Sequence, residues 1–394
     1  MPRPINVLLF SSLFPSSPRP IHGIFVETRL RELVKTGRVH AKVVAPVPWF
    51  PLEGKRFGEY GLFAQTPRFE HRNGLDVYHP RYFLPPKVGM NIAPYTMAMS
   101  ALPVIKKLVA DGFALDLIDA HYYYPDGVAA SILAAKLGKP FVVTARGTDL
   151  NLIPQYPFPR KLILQTAEKA TASIGVCRAL MDTLAGLGAN PGKLHTLRNG
   201  VDLERFVPEP RAAARQKLGL PSSARLLLSV GHLIERKGHH IAIAALPLLP
   251  PDVRLLIAGG GPDRATLQAQ AERLGVADRL QFVGVVAQSE LKWWYSAVDA
   301  LTLCSSREGW ANVLLESMAC GTPVIATNIW GTPEVVSTPA AGVLMPDRSP
   351  QGLAHAWQLL MANYPEREAT RAHAQTFSWD ETTQGQLALF QAAI

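Results

Sequence analysis

Two carboxylates, Glu308 and Glu316, stand eight positions apart in "SSREGWANVLLESMACGTPV", with glycine, tryptophan and asparagine between them. Paired carboxylates can serve as acid and base across a bond to be cleaved, or they can accept hydrogen bonds and hold a polar ligand. Gly321-Thr322-Pro323 is a helix stop and Asn312 a good N-cap, so the pattern predicts a helix from Val313 to Cys320. Glu316 then lies just past the first turn, while Glu308 lies in the loop before it. They do not share a helix face. The loop Glu308-Gly309-Trp310-Ala311 leads into free backbone N–H groups at the helix start, a site for an anion or for sugar hydroxyls. Taken alone, Glu316 reads equally well as a surface partner of the helix dipole.

A second chemistry-bearing segment is "LSVGHLIERKGHHIAIAAL". Gly231 ends a strand there, and Arg236, Lys237 and Gly238 precede a helix. Arginine forks onto phosphate oxygens and lysine supplies a point charge, so the pair suits a diphosphate, although solvated pairs in such places are common. "LLIAGGGPDRATL" contains Gly259 to Gly261, but Pro262 and a missing third glycine spoil a dinucleotide fingerprint. A tight turn before a helix explains it as well.

Parallel sheets must position these residues. In the first half the apolar runs "INVLLF", "HAKVVAP", "LDLIDAH", "PFVVTA" and "ASIGVC" lack alternation and are separated by helical stretches such as "VETRLRELVKTG" and "DGVAASILAAKLG". The second half repeats the plan with "RLLLSVG", "VRLLIAGGG", "RLQFVGVV", "ALTLCSS" and "PVIATN". Runs of this kind predict βαβ units and two doubly wound α/β domains. The domain boundaries expected are 1–205 and 206–375, with the junction inside "NGVDLERFVPEPRAAARQKLGLPSS" and an amphipathic C-terminal helix in 376–394 joining the first domain. Ligands of such sheets bind at the carboxyl ends of the strands, so two facing domains would make a cleft.

A chain of 394 residues with 48% hydrophobic and 18% charged residues can bury two cores and is not disordered. No apolar run is long enough to span a membrane, since "YTMAMSALPVI" and "LPLLPPDVRLLIAGGG" are broken by proline, glycine or charge. "MPRPINVLLFSSLFPSSP" lacks the long apolar core and cleavage site of a signal peptide and reads as a first β-strand. Cys177, Cys304 and Cys320 form no Cys-x-x-Cys pair, which suits a reducing cytosol and argues against a zinc site. The basic excess is one-sided: residues 1–205 hold 25 Lys/Arg against 15 Asp/Glu, and the remainder 15 against 16. The first half therefore suits anionic lipid, a phosphorylated substrate or nucleic acid.

The ordered series "HGIFVE", "DAHYYYPDGVAA", "VVTARGTDL", "LRNGVDLERF", "SVGHLIERKGHH", "IAGGGP", "VGVV", "SSREGWANVLLESMACGTPVIAT" and "GTPEVV" spans nearly the whole chain. It resembles the retaining glycosyltransferases of family 4, whose E-x7-E signature coincides with Glu308 and Glu316 and whose fold is GT-B.

That resemblance implies roles. Arg236 and Lys237 would hold the donor diphosphate, Glu316 the ribose hydroxyls, and Glu308 with the amides of Trp310, Ala311, Asn312 and Val313 the transferred sugar. Gly23 would let the backbone approach the donor phosphate or the acceptor, and base recognition would be by backbone around Gly284 and Val285. His121, taken with Glu308 as catalytic, would sit across the cleft beside the anomeric carbon and contribute to positioning rather than attack. Tyr122, Tyr123, Tyr124, Arg146 and Asp149 would shape the acceptor side. Three departures from the family pattern stand out: Arg146-Gly147 in place of His-Gly, His22-Gly23 in place of a double glycine, and Trp330-Gly331-Thr332-Pro333-Glu334 in place of glycines before Pro-Glu.

The implied activity is a metal-independent, retaining hexosyl transfer from a nucleotide-diphosphate sugar to an acceptor hydroxyl, with no cofactor and no nucleic-acid partner. "FPSSPRPIHGIFVETRLREL" further resembles bacterial enzymes that build surface polysaccharides on lipid carriers. This predicts a cytoplasmic protein, peripheral on the inner membrane face through the aromatic loop "PWFPLEGKRFGEYGLF". Rival readings are a nucleotide-sugar epimerase of similar fold, an NAD-dependent oxidoreductase and a non-catalytic glycan- or lipid-binding module.

Overall fold

Strands such as Ile5–Phe10 and Leu117–His121 are buried along almost their whole length, which requires cover on both faces, as parallel sheets provide. The computed structural model describes residues 3–85 and 89–394. They form two units, Met1–Arg198 with Asp380–Ile394, and Asn199–Trp379.

Unit 1 contains β1 (Ile5–Phe10), β2 (Val39–Val44), β3 (Val47–Pro48), β4 (Phe69–Arg72) and β5 (Leu75–Tyr78). It continues with β6 (Arg81–Tyr82), β7 (Leu117–His121), β8 (Phe141–Ala145), β9 (Ala172–Gly175) and β10 (Leu194–Thr196). Eight of them form one sheet in the order β10-β9-β8-β7-β1-β2-β5-β4, while β3 pairs with β6. The eight-stranded sheet is parallel except for the β4–β5 hairpin at its edge. From β1 the chain runs outward through β2 on one side and through β7 on the other. The loops leaving β1 and β7 therefore diverge, and a crevice opens at their carboxyl ends.

Unit 2 contains β11 (Arg225–Val230), β12 (Val253–Ala258), β13 (Leu280–Gly284), β14 (Ala300–Leu303), β15 (Val324–Thr327) and β16 (Gly342–Met345). All are parallel, in the order β13-β12-β11-β14-β15-β16. Here the order reverses between β11 and β14, the two strands that lead into the Arg236-Lys237 and Glu308 loops.

The C-terminal helix Trp379–Ala393 sends Leu387 and Phe390 into the core of unit 1 beside Val7, Leu9, Val26 and Leu30. The division between units falls at Arg198/Asn199 rather than after residue 205, and Trp379 still belongs to unit 2. Hydrogen bonds explain the shift: Val201 N–H donates to the Phe377 carbonyl at 3.0 Å, and Arg371 Nη1 to that of Phe206 at 2.9 Å. The segment after Arg198 is thus tied into unit 2. Among the described residues, no helix is long and apolar enough to cross a membrane.

Candidate functional site

In unit 2 the residues of interest converge at the reversal between β11 and β14. After β11 the chain makes a short turn, Glu235–Lys237, and enters the helix His239–Ala245 through Gly238. Gly238 has φ of 73°, and a Cβ there would lie 1.9 Å from the Cys304 carbonyl oxygen. Only glycine lets this turn press against the end of β14. The contact brings Lys237 Nζ to 2.7 Å and Arg236 Nη1 to 3.8 Å from Glu308 Oε1. Ser305 Oγ donates to the same oxygen at 2.6 Å. Arg236 also donates to the Arg307 carbonyl at 2.9 Å. Two cations and one carboxylate, partly shielded from water, are thereby fixed at one sheet end, a mixed-charge cradle suited to a polar anionic ligand.

The adjoining helix is Asn312–Ala319, one residue earlier than the sequence predicts. Asn312 is its first residue and not its N-cap; Ala311 holds that position without a side-chain capping bond. The Asn312 side chain instead accepts from Asn199 Nδ2 at 3.3 Å. The N-cap residue thus supplies no side-chain partner for the amides at the positive end of the helix. Trp310 turns inward, its ring 5.8 Å from that of Phe377, so its indole packs in the core and leaves only its backbone for a ligand.

Glu316 lies on the buried side of this helix and accepts from the Tyr295 hydroxyl at 2.8 Å. Burial pushes its carboxyl up to about 7, against the pull of that hydrogen bond. The surface-partner reading of Glu316 therefore fails. Gly259 would place a Cβ 1.9 Å from the Gly231 carbonyl oxygen, and Gly261 one 2.5 Å from that of Leu233. These glycines serve the close approach of two loops and form no dinucleotide fingerprint. Gly284 has φ of 83°, and Val285 after it is 72% exposed. On the far side Trp330 adopts φ of 47°, a left-handed conformation that favours glycine.

In unit 1 the corresponding reversal brings together the ends of β1 and β7. Gly23, with φ of 68°, caps the helix Ile24–Lys35, and a Cβ there would strike the Leu13 carbonyl oxygen at 2.2 Å. His22 Nε2 faces the Ser12 carbonyl at 3.2 Å. Asp126 accepts from Ser12 Oγ at 3.0 Å and from the Ser12 amide, and burial pushes its carboxyl up to about 7. Ser11 Oγ donates to the His121 carbonyl at 2.9 Å.

His121 is buried, and both ring nitrogens are engaged. Arg146 Nη2 donates to Nδ1, and because arginine only donates, the ring proton sits on Nε2, which donates to Asp119 Oδ2 at 3.0 Å. Burial drives the His121 pKa down to about 4, with Arg146 and Arg29 adding to the fall and Asp119 opposing it. The ring is neutral and fully bonded. It reaches its surroundings through Arg146, whose guanidinium also stacks 5.4 Å from the Phe25 ring.

Three residues expected on the acceptor side face elsewhere. Tyr123 has no exposed surface, and its hydroxyl is 2.7 Å from Ser173 Oγ, so it is a core residue. Asp149 accepts from the amides of Tyr123 and Gly147, both at 2.7 Å, and from that of Arg146 at 3.1 Å. It shapes the loop and offers no free oxygen to a sugar. Tyr124 is buried and donates to the Met90 carbonyl. Tyr122, with φ of 82°, is only partly buried. Residues that sequence reasoning missed include Ser305, Tyr295, Asp119, Arg29 and Gln386. Only Asp119 carried a local signal, two positions before His121 and on the same strand face.

Comparison with known proteins agrees with this architecture. Residues 23–205 match the family model Glycosyltransferase Family 4, and residues 210–377 match Glycosyl transferases group 1. The D-inositol 3-phosphate glycosyltransferase of Xylanimonas cellulosilytica is 32% identical over 301 residues, covering 71% of this chain and 72% of that protein. TuaC of Bacillus subtilis (strain 168), assigned to teichuronic acid biosynthesis as a glycosyltransferase, is 28% identical over 356 residues, 89% of this chain and 88% of its own. Among solved structures, sucrose-phosphate synthase from Thermosynechococcus elongatus has a TM-score of 0.79 at 20% identity, covering 99% of each chain. Anabaena Alr3699/HepE in complex with UDP-glucose has a TM-score of 0.72 at 20% identity, again over 99% of each chain. With both halves matched in order, and with parallel sheets and loops of this kind, the chain is a family 4 glycosyltransferase of the GT-B fold.

Proposed function

We propose that this enzyme is a retaining hexosyltransferase that moves a sugar from a nucleotide-diphosphate donor to an acceptor hydroxyl. The observation that carries the reading is the meeting of Arg236, Lys237 and Glu308 at the carboxyl ends of β11 and β14. In this reading Arg236 and Lys237 take the diphosphate, and Glu308 with the backbone amides of Trp310, Ala311, Asn312 and Val313 takes the sugar. Glu316 takes the ribose hydroxyls, and the backbone at Gly284 and Val285 the base. The UDP-glucose bound by Anabaena Alr3699/HepE supports a donor of this class.

The bond between the anomeric carbon and the diphosphate oxygen breaks while the acceptor oxygen bonds to that carbon from the same face. The acceptor proton passes to the departing diphosphate oxygen. No protein nucleophile is required, and Glu308, already charge-paired with Lys237, is suited to holding the sugar rather than attacking it. The two cations supply the positive charge that a metal supplies elsewhere, so the transfer needs no metal. His121 contributes positioning through Arg146, and Gly23 allows close approach of the backbone.

For the acceptor, the relation to TuaC supports a lipid-linked glycan of surface polysaccharide synthesis, handled by a cytoplasmic protein at the inner membrane face. Trp49, Leu52 and Tyr60 are about half exposed in the basic first half, a surface suited to anionic lipid. A second reading, a small phosphorylated acceptor, is favoured by Arg146 at the end of β8 and by the inositol-phosphate relatives.

The test is a thermal-shift scan with UDP, GDP and ADP, followed by transfer from the matching sugar donors with and without EDTA. Stabilisation by one nucleotide and a product that keeps the donor's anomeric configuration are expected. An inverted product contradicts the retaining mechanism, and turnover of the donor without any acceptor favours the epimerase.

A further inference from the structure

Behind His121 and Arg146 the fold buries a continuous polar chain in unit 1. It begins on the C-terminal helix. Gln386, with no exposed surface, donates from Nε2 to Asp119 Oδ2 at 2.9 Å and accepts from Arg29 Nε at 2.6 Å. Asp119 Oδ2 also receives the His121 Nε2 proton at 3.0 Å, and His121 Nδ1 receives Arg146 Nη2. Arg29 is further fixed by the Leu197 carbonyl at 3.1 Å.

The place of Gln386 is built in by its neighbours. A Cβ at Gly385 would lie 2.6 Å from Leu197 Cδ2, so glycine lets the helix sit close to the end of unit 1's sheet. Leu387 and Phe390 then bury their side chains in the core. A glutamine beside them, wholly desolvated, costs free energy unless both ends of its amide are bonded, and here they are.

We infer that Gln386 is a positioning residue: it holds Asp119, which selects the His121 tautomer that accepts from Arg146 and so aims the guanidinium at the end of β8. The inference rests on the proposed acceptor-side role of the His121 and Arg146 cluster. Its chemistry is directional at every link. With the amide oxygen committed to Arg29, only the Nε2 side of Gln386 can face Asp119. Asp119 is then an acceptor for two N–H groups at one oxygen. His121 must carry its proton on Nε2, which leaves Nδ1 as the ring's acceptor toward Arg146. Arg146 is the least buried member of the chain.

Two variants test this, Gln386→Leu and Gln386→Glu. The charged or titratable groups facing the amide and Asp119 are Arg29 from the first helix, His121 from β7 and Arg146 from the loop after β8, with Asp149 behind Arg146. In Gln386→Leu, kcat/KM for the acceptor is expected to fall on the order of tenfold, with UDP affinity unchanged. The 15N resonances of the His121 ring, assigned by loss in a His121 variant, are expected to move. Gln386→Glu can donate to Asp119 only as the neutral acid, so its activity relative to wild type should be higher at pH 6 than at pH 8. Unchanged His121 resonances in folded Gln386→Leu, or a pH-independent ratio in Gln386→Glu, overturn the inference. Should Gln386→Leu not fold, the glutamate variant decides alone. Full activity in Arg146→Lys beside moved His121 resonances in Gln386→Leu supports the coupling and places the failure on the acceptor-side reading.

Discussion

Lys237 Nζ lies 2.7 Å from Glu308 Oε1, so the cation proposed for the donor diphosphate is already paired with the carboxylate proposed for the sugar. Donor binding is then an exchange of partners. Lys237→Ala removes a charge-assisted contact, and UDP affinity should fall by about 10- to 100-fold. Titration calorimetry checks this; unchanged affinity would place the diphosphate elsewhere.

Glu316 titrates near 7 because burial disfavours its charge. A carboxyl raised from 4.5 to about 7 contributes stability below pH 4.5 and loses it as pH rises through 7. The stability of Glu316→Gln relative to wild type should therefore increase between pH 5 and pH 8, measured by urea unfolding. The charged form is the stronger acceptor for ribose hydroxyls, so wild-type UDP affinity should weaken below pH 7. In Glu316→Gln it should be weaker by about tenfold and flat with pH.

Gly238→Ala tests the turn that carries Arg236 and Lys237. The added Cβ would lie 1.9 Å from a backbone oxygen at a φ of 73°. A loss of roughly 2 kcal/mol or more is expected, with UDP binding lost in parallel. Gly37, whose Cβ would meet nothing within 4 Å at a similar φ of 69°, should tolerate alanine with a smaller loss.

His121 carries the opposite pH signature to Glu316. Its pKa is depressed from 6.5 to about 4, so it contributes stability present above pH 6.5 and lost as pH falls through 4. Urea unfolding at pH 7 and pH 5 should show wild type losing more stability on acidification than His121→Gln. An equal loss in both would mean that the ring is not buried neutral.

Much of this was legible in the sequence, for stated reasons. Non-alternating strands such as "INVLLF" and "PFVVTA" can only belong to sheets covered on both faces, and the E-x7-E spacing with its helix stop located Glu308 and Glu316. Long-range pairings were not legible. Arg29, Asp119 and Gln386 meet only because the C-terminal helix docks on unit 1, and no local pattern encodes that contact. Tyr123 and Asp149 misled because polar residues after a strand can turn inward when core hydroxyls and loop amides satisfy them. The helix Gly89–Ala110 contains Pro94 and Pro103, residues that read as interruptions but are accommodated within it.

The measurement that bears most directly on the cradle is UDP titration and sugar transfer by Glu308→Gln. Removing the carboxylate's charge frees Lys237 and Arg236 for the diphosphate and takes away the acceptor for the sugar's hydroxyls. UDP should bind roughly three- to tenfold more tightly, while transfer falls by on the order of 100-fold. Transfer at the wild-type rate, or loss of UDP binding, would contradict the account.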